Sequence, residues 1–186
     1  MSQPNDFNIL ISVDIGLTGG IAFFDWHSKE LVGLYEMPSE KITTKYGRNK
    51  GQLNVQRVKF ILEIPKKHGD TATVIMENVH AFPGQGIVAM ATLMEQKGII
   101  RGICAGLEYD EFLVEPKAWQ SYYGMIPPKD LKGSTGSKTK TLRKKWLKDK
   151  SVEIAENLFP EWKDKMNKSN GMSDAMLIGN YKINHP

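Results

Sequence analysis

Hydrophobic and polar positions along the chain fall into blocks whose periods predict different elements. Residues 8–14 (NILISVD) are an apolar run that reads as a buried strand, and residues 20–25 (GIAFFD) read as a second strand after a glycine turn. Residues 31–37 (LVGLYEM) predict a third, and three strands so close in sequence predict an antiparallel meander. Residues 39–52 are polar, contain Gly47 and Gly51, and read as a loop. Across 53–68, Leu53, Val58, Ile61, Leu62 and Ile64 mark a helical stripe that Pro65 should end or kink.

The second half changes character. Residues 72–78 (ATVIMEN) predict an apolar strand that ends in Glu77, and 84–107 a long, mostly apolar helix. Its small residues Gly98, Gly102, Ala105 and Gly106 permit close packing, which suits either a fully internal helix or an interface helix. Residues 111–115 predict a short strand, and Pro116 opens a short helix. Pro127, Pro128, Gly133 and Gly136 predict a mobile loop over 124–137, and residues 1–7 a flexible N-terminus. Residues 137–159 predict one or two helices ending before Pro160, and GMSDAMLIGNYKI a closing helix. Strands that then alternate with helices predict a single α/β layered domain over 1–186.

Composition adds boundaries rather than identity. Hydrophobic content of 40% and charged content of 25% are ordinary for a globular chain. No apolar run approaches the ~18 residues of a membrane span, so no membrane partner is expected. The N-terminal MSQPNDFN lacks the basic-then-apolar pattern of an export signal. Cys104 is the single cysteine, set in an apolar segment, and reads as a small core residue. A reducing, cytoplasmic location is expected.

Charge matters through its distribution. The net charge is only +4, but Lys129, Lys132, Lys138, Lys140, Arg143, Lys144, Lys145, Lys148 and Lys150 cluster between 129 and 150, opposed by Asp130 and Asp149. Such a run is either a solvated helix face or a surface that tracks a polyanion such as nucleic acid.

Three acids interrupt apolar elements: Asp14, Glu77 and Asp174. A lone buried carboxylate costs several kcal/mol without compensation. No Arg or Lys adjoins any of the three in sequence, and converging carboxylates make an oxygen-donor site suited to Mg²⁺ or Mn²⁺. Each acid also has a plainer role open to it. Asp14 could brace the glycine turn, Glu77 could be an exposed strand end, and Asp174 could meet a helix macrodipole.

Taken together, DIGLTGGIAFFD, VIMENVHAFPGQG, MEQKGIIRGICAG, LVEPKAWQSYYG, KSVEIAENLFP and NGMSDAMLIGNY resemble, in this order, the RuvC-type Holliday junction resolvases, especially the phage and bacterial branch. The resemblance covers roughly residues 8–183. It implies a ribonuclease H-like fold with a mixed five-stranded sheet flanked by helices, and a homodimer in a bacterial cell or phage-infected host. It also implies a nuclease that nicks four-way or branched DNA symmetrically with two divalent ions, Mg²⁺ or Mn²⁺, per site.

On that resemblance Asp14, Glu77 and Asp174 are metal ligands, and the glycines after Asp14 let phosphate approach the backbone. Phe82 would probe the junction, with His80 near the same acid. Lys150 would lie near the reacting phosphate, and Lys129, Lys132, Lys138, Lys140, Arg143, Lys144 and Lys145 would contact DNA. Related chains carry a fourth acid before the last, in an Asp-Gly-x-x-Asp pattern. This chain reads NGMSD, with Asn170 four residues before Asp174 and so on the same helix face. Asn170 is either a substitution for that acid, natural or engineered, that weakens the metal site, or a helix N-cap.

Three other functions remain open to comparison. A non-cleaving junction binder and a ribonuclease H acting on hybrids would share the fold. DIGLT also resembles the first phosphate loop of sugar kinases and actin, but that class requires two lobes and a second glycine-rich motif.

Overall fold

In the computed structural model the described residues are 8–43, 45–47, 49–80, 86–131, 137–166 and 170–185. Expectations for residues 1–7, for Phe82 and Lys132, and for 132–136 of the predicted mobile loop lie outside them.

The meander forms as expected: β1 (Ile9–Asp14) pairs antiparallel with β2 (Gly20–Asp25), and β2 with β3 (Leu31–Glu36). On the other side of β1, β6 (Ala72–Glu77) and then β7 (Asp110–Val114) add in parallel. The result is a mixed five-stranded sheet of order β3-β2-β1-β6-β7.

Side chains alternate across a strand, so each strand divides its residues between the two faces. Ile11 and Val13 of β1, with Val74 and Met76 of β6, pack beside Val58, Ile61, Ile100 and Cys104. These last four belong to α1 (Val55–Leu62) and α3 (Ile87–Gly106). Leu10 of β1 and Ile75 of β6 join the opposite core with Trp119, Met172, Ala175 and Met176. That side is built by α4 (Pro116–Tyr122), α5 (Ser137–Leu158) and α7 (Asn170–Asn184).

Helix boundaries follow local chemistry. Asn54 caps α1 by accepting from the Arg57 backbone N–H at 3.0 Å. Pro65 sits in the first turn of α2 (Ile64–Lys67), where a missing N–H is tolerated, so the stripe splits there as expected. The 137–159 segment is one helix, α5. A short 3-10 turn at Pro160–Trp162 and α6 (Lys163–Met166) lead towards α7.

The polar segment 39–52, expected to be a loop, is instead a hairpin. Strand β4 (Ser39–Thr43) pairs antiparallel with β5 (Asn49–Leu53) as a separate two-stranded ribbon. It is exposed over most of both faces, so no apolar alternation announces it. Cross-strand bonds replace a core: Gln52 Nε2 donates to Glu40 Oε1 at 2.9 Å, and Thr43 Oγ1 to Asn49 Oδ1 at 3.2 Å. Gly47, at φ +73°, adopts a left-handed conformation at the tip.

Helix α3 is not internal. Ile100, Cys104 and Gln96 form its buried stripe, while Ile87 and Val88 are 79% and 77% exposed. Added Cβ atoms at Gly98, Gly102 and Gly106 would meet open space, so these glycines serve no packing among the described residues. The buried position of Cys104 is as expected. In the described part of 124–137, Met125 is anchored in the core and Lys129–Leu131 form a 3-10 turn.

Candidate active site

The parallel register of β1 and β6 aligns Val13 with Met76, which brings Asp14 and Glu77 to the ends of neighbouring strands. Alternation turns both toward the α7 face, the side of Leu10 and Ile75. Helix α7 lies across that face. An added Cβ on Gly179 would meet Ser12 and the Phe24 ring, and one on Gly20 would sit 2.7 Å from the Gly171 carbonyl oxygen. The first turn of α7 therefore abuts the β1–β2 turn, where Gly19 bridges Gly171. This contact gives the glycine run a reason the sequence reading did not include, since any side chain at Gly20 or Gly171 would push α7 off the sheet. It also sets Asp174 over Asp14.

The three carboxylates feel one another. Burial pushes Asp14 well above the ordinary carboxylate range, and repulsion from Asp174 and Glu77 adds to it, while Lys148 pulls the other way. Burial raises Glu77 to about 7, opposed by a hydrogen bond from Trp119 and increased by repulsion from Asp174 and Glu115. Burial raises Asp174 to about 6, against a hydrogen bond from Ser151 and attraction from Lys148. All three retain some solvent contact.

Two neighbours hold the acids in place. Trp119 of α4, 1% exposed, donates from Nε1 to Glu77 Oε1 at 2.7 Å. Ser151 of α5 donates to Asp174 Oδ1. Ser151 also lies 3.0 Å from the Ser173 hydroxyl, which donates to the Asn170 carbonyl at 2.6 Å.

The remaining expected residues divide. Asn170 begins α7 and lines a cleft of about 430 Å³ with Lys148, Thr18 and Gly19. Lys148 is the cation that both Asp14 and Asp174 sense. Lys150 instead pairs with Glu153 at 2.6 Å, and Lys145 with Asp149 at 2.8 Å. Lys138, Lys140, Arg143 and Lys144 are exposed on α5, and Lys129 on the preceding turn. His80 faces Glu115 at 3.4 Å, beside Asn78, which donates to the same carboxylate at 2.7 Å.

The sequence reading missed Trp119, Ser151 and Lys148. Lys148 carried a signal only as one member of the basic run between 129 and 150, and nothing in the sequence tied Trp119 or Ser151 to an acid.

Oxygen donors on strand ends, raised by burial and repulsion and served by one nearby lysine, fit a hard divalent cation in charge and type. Among the described residues no three His, Cys, Asp or Glu side chains are drawn close enough to hold one ion together.

The five-stranded mixed sheet, with helices on both faces and acids where α7 crosses the strand ends, is a ribonuclease H-like α/β fold. Thermus thermophilus RuvC, solved in complex with a Holliday junction substrate, shares it: TM-score 0.53 at 11% identity, over 93% of this chain and 90% of that one. The yeast mitochondrial Holliday junction resolvase Ydc2 aligns at TM-score 0.49 and 13% identity, over 94% and 77%. A second T. thermophilus RuvC structure aligns at 0.46 and 11%, over 93% and 92%. No protein-family model and no curated protein matches the sequence. No helix among the described residues is long and apolar enough to cross a membrane.

Proposed function

We propose that this chain is a structure-selective endonuclease that nicks four-way DNA junctions at symmetric positions, acting as a homodimer. The observation that carries the reading is the convergence of Asp14 and Glu77 from adjacent parallel strand ends, with Asp174 set over them by α7. These acids would hold two divalent ions, Mg²⁺ or Mn²⁺, which when bound would supply positive charge to the attacking and leaving oxygens of a phosphodiester. Trp119 and Ser151 orient Glu77 and Asp174. Lys148 offers a further positive charge that Asp14 and Asp174 sense. The exposed cations of α5 draw in the DNA backbone. The exposed apolar start of α3 and its outward glycines supply a surface for a second copy.

Asn170 favours a second reading, a chain that binds junctions and cuts them slowly. It stands at the cleft mouth four residues before Asp174 and brings an amide where the related pattern has a carboxylate. One comparison tests both. Junction nicking in Mg²⁺ is measured for the chain and for Asn170→Asp, and the variant is expected to nick faster with little change in affinity. Equal nicking by both would remove Asn170 from the metal site, and failure of both to bind a junction would end the reading.

A further inference from the structure

The cleft at Lys148 and Asn170 does not end there. It shares Glu36, Met37 and Ser39 with a second cleft of about 580 Å³, which continues past Tyr35 to Arg57 and Lys165. The two adjoin as one groove; Asp14, Glu77 and Asp174 do not line it, and Lys148, the cation that Asp14 and Asp174 sense, connects it to them. The β4–β5 hairpin stands beside it: Ser39 opens β4 at the groove floor, and an added Cβ on Gly51 of β5 would lie 2.8 Å from Leu17 Cδ1 at the other end. A two-stranded ribbon with little core of its own is thus held against the β1–β2 turn.

The far end of the groove is positive. Arg57 makes no salt bridge among the described residues, and neither does Lys165. Lys165 Nζ lies 5.3 Å from the Tyr35 ring centre and 5.2 Å from that of Trp162, which fixes the ammonium without neutralising it. Glu36 is the carboxylate in the groove lining. Glu40, at the hairpin base, accepts from Gln52 and Asn54. The groove therefore runs from Lys148 to Arg57 and Lys165, with an aromatic ring along its wall.

We propose that this groove is a strand subsite: it takes the sugar-phosphate backbone of the nucleic-acid strand that continues past the cut, with phosphates meeting Arg57 and Lys165 and the hairpin as its outer wall. The proposal rests on the nuclease reading for its direction, and on the charge and continuity of the groove for its occupant. It also gives the hairpin a purpose that its lack of a core does not.

The test is binding measured by fluorescence anisotropy over about 50 to 200 mM salt, for a four-way junction and for linear strands. The Arg57→Ala/Lys165→Ala variant is expected to bind on the order of tenfold more weakly, with a salt slope reduced by about one per cation removed. The Arg57→Lys/Lys165→Arg variant, which keeps both charges, is expected to restore the slope. Trimming the substrate strand on one side of the cut should weaken wild-type binding and leave the alanine variant unaffected. Thermal melting checks that these surface changes leave the fold intact.

Wild-type affinity and slope in the alanine variant would overturn the subsite and leave the junction reading standing. Loss of strand affinity in that variant, with no preference of the wild type for junctions over duplex, would support the subsite and overturn the junction reading. No nucleic-acid binding by the wild type would overturn both.

Discussion

The two faces of the central sheet are built from the same strands and do opposite things. Toward α1 and α3, β1 and β6 present Ile11, Val13, Val74 and Met76, an apolar layer closed by Ile61, Ile100 and Cys104. Toward α7 the same strands present Ser12, Asp14, Thr73 and Glu77 among Leu10 and Ile75. Ser12 Oγ is buried there with no hydrogen-bond partner among the described residues. One face contributes stability and the other gives some of it up, and the difference marks the candidate site. A sheet built for stability alone would not place two mutually repelling carboxylates at adjacent strand ends beneath a third.

Substitutions on the two faces should therefore have opposite consequences. On the proposed nuclease reading, Asp14→Asn is expected to reduce junction nicking by on the order of 10² to 10³-fold, the loss of several kcal/mol. In chelator at about pH 8 the same variant should resist urea better than the wild type, because a buried carboxyl whose ionisation Asp174 and Glu77 oppose has gone. Ile11→Ala on the apolar face should lose about 2–5 kcal/mol of stability while nicking per folded molecule persists. Urea unfolding and single-turnover nicking, run on both variants, measure the contrast. A destabilised Asp14→Asn would mean that the α7 face holds no stored repulsion.

The polar face should also respond to pH where the apolar face does not. Asp14, Glu77 and Asp174 all titrate above their unfolded values. Between about pH 4.5 and 7 the metal-free folded protein then binds more protons than the unfolded chain, so stability from this site falls as pH rises through that window. Glu77, raised to about 7, accounts for up to about 3 kcal/mol of the fall. Urea midpoints in chelator should drop from about pH 5 to 8 in the wild type and drop less in Glu77→Gln, and Mg²⁺ at about pH 8 should recover part of the loss. Parallel pH profiles for the wild type and Glu77→Gln would contradict the raised carboxyl.

Much of this contrast was readable from the sequence. The strands were, because each pairs a run of apolar residues with a turn signal, and the acids were conspicuous because they broke those runs. The hairpin was not, since a ribbon solvated on both faces leaves no period to detect. Trp119 and Ser151 were out of reach for a different reason: their partners, Glu77 and Asp174, lie 42 and 23 positions away, and only the packing of α4 and α5 brings them together. The apolar character of α3 pointed equally to interior and surface, and the outward glycines decide it for the surface.

The choice between Lys148 and Lys150 is the smallest difference and the most direct check on where the polar face ends. Lys148 and Ser151 are three apart on α5 and share a side of the helix, and Ser151 reaches Asp174. Lys150, two positions from Lys148, turns away and pairs with Glu153. Lys148→Ala should lower nicking about tenfold, the equivalent of an interaction near 1.4 kcal/mol, and raise the titration of Asp14 and Asp174 further, since the cation that opposes their shift has gone. Lys150→Ala should change nicking by less than about threefold, in keeping with a partly exposed ion pair of at most ~1 kcal/mol. The reverse order would move the reacting phosphate along α5 by half a turn, away from the carboxylates and off the groove that starts at Asn170.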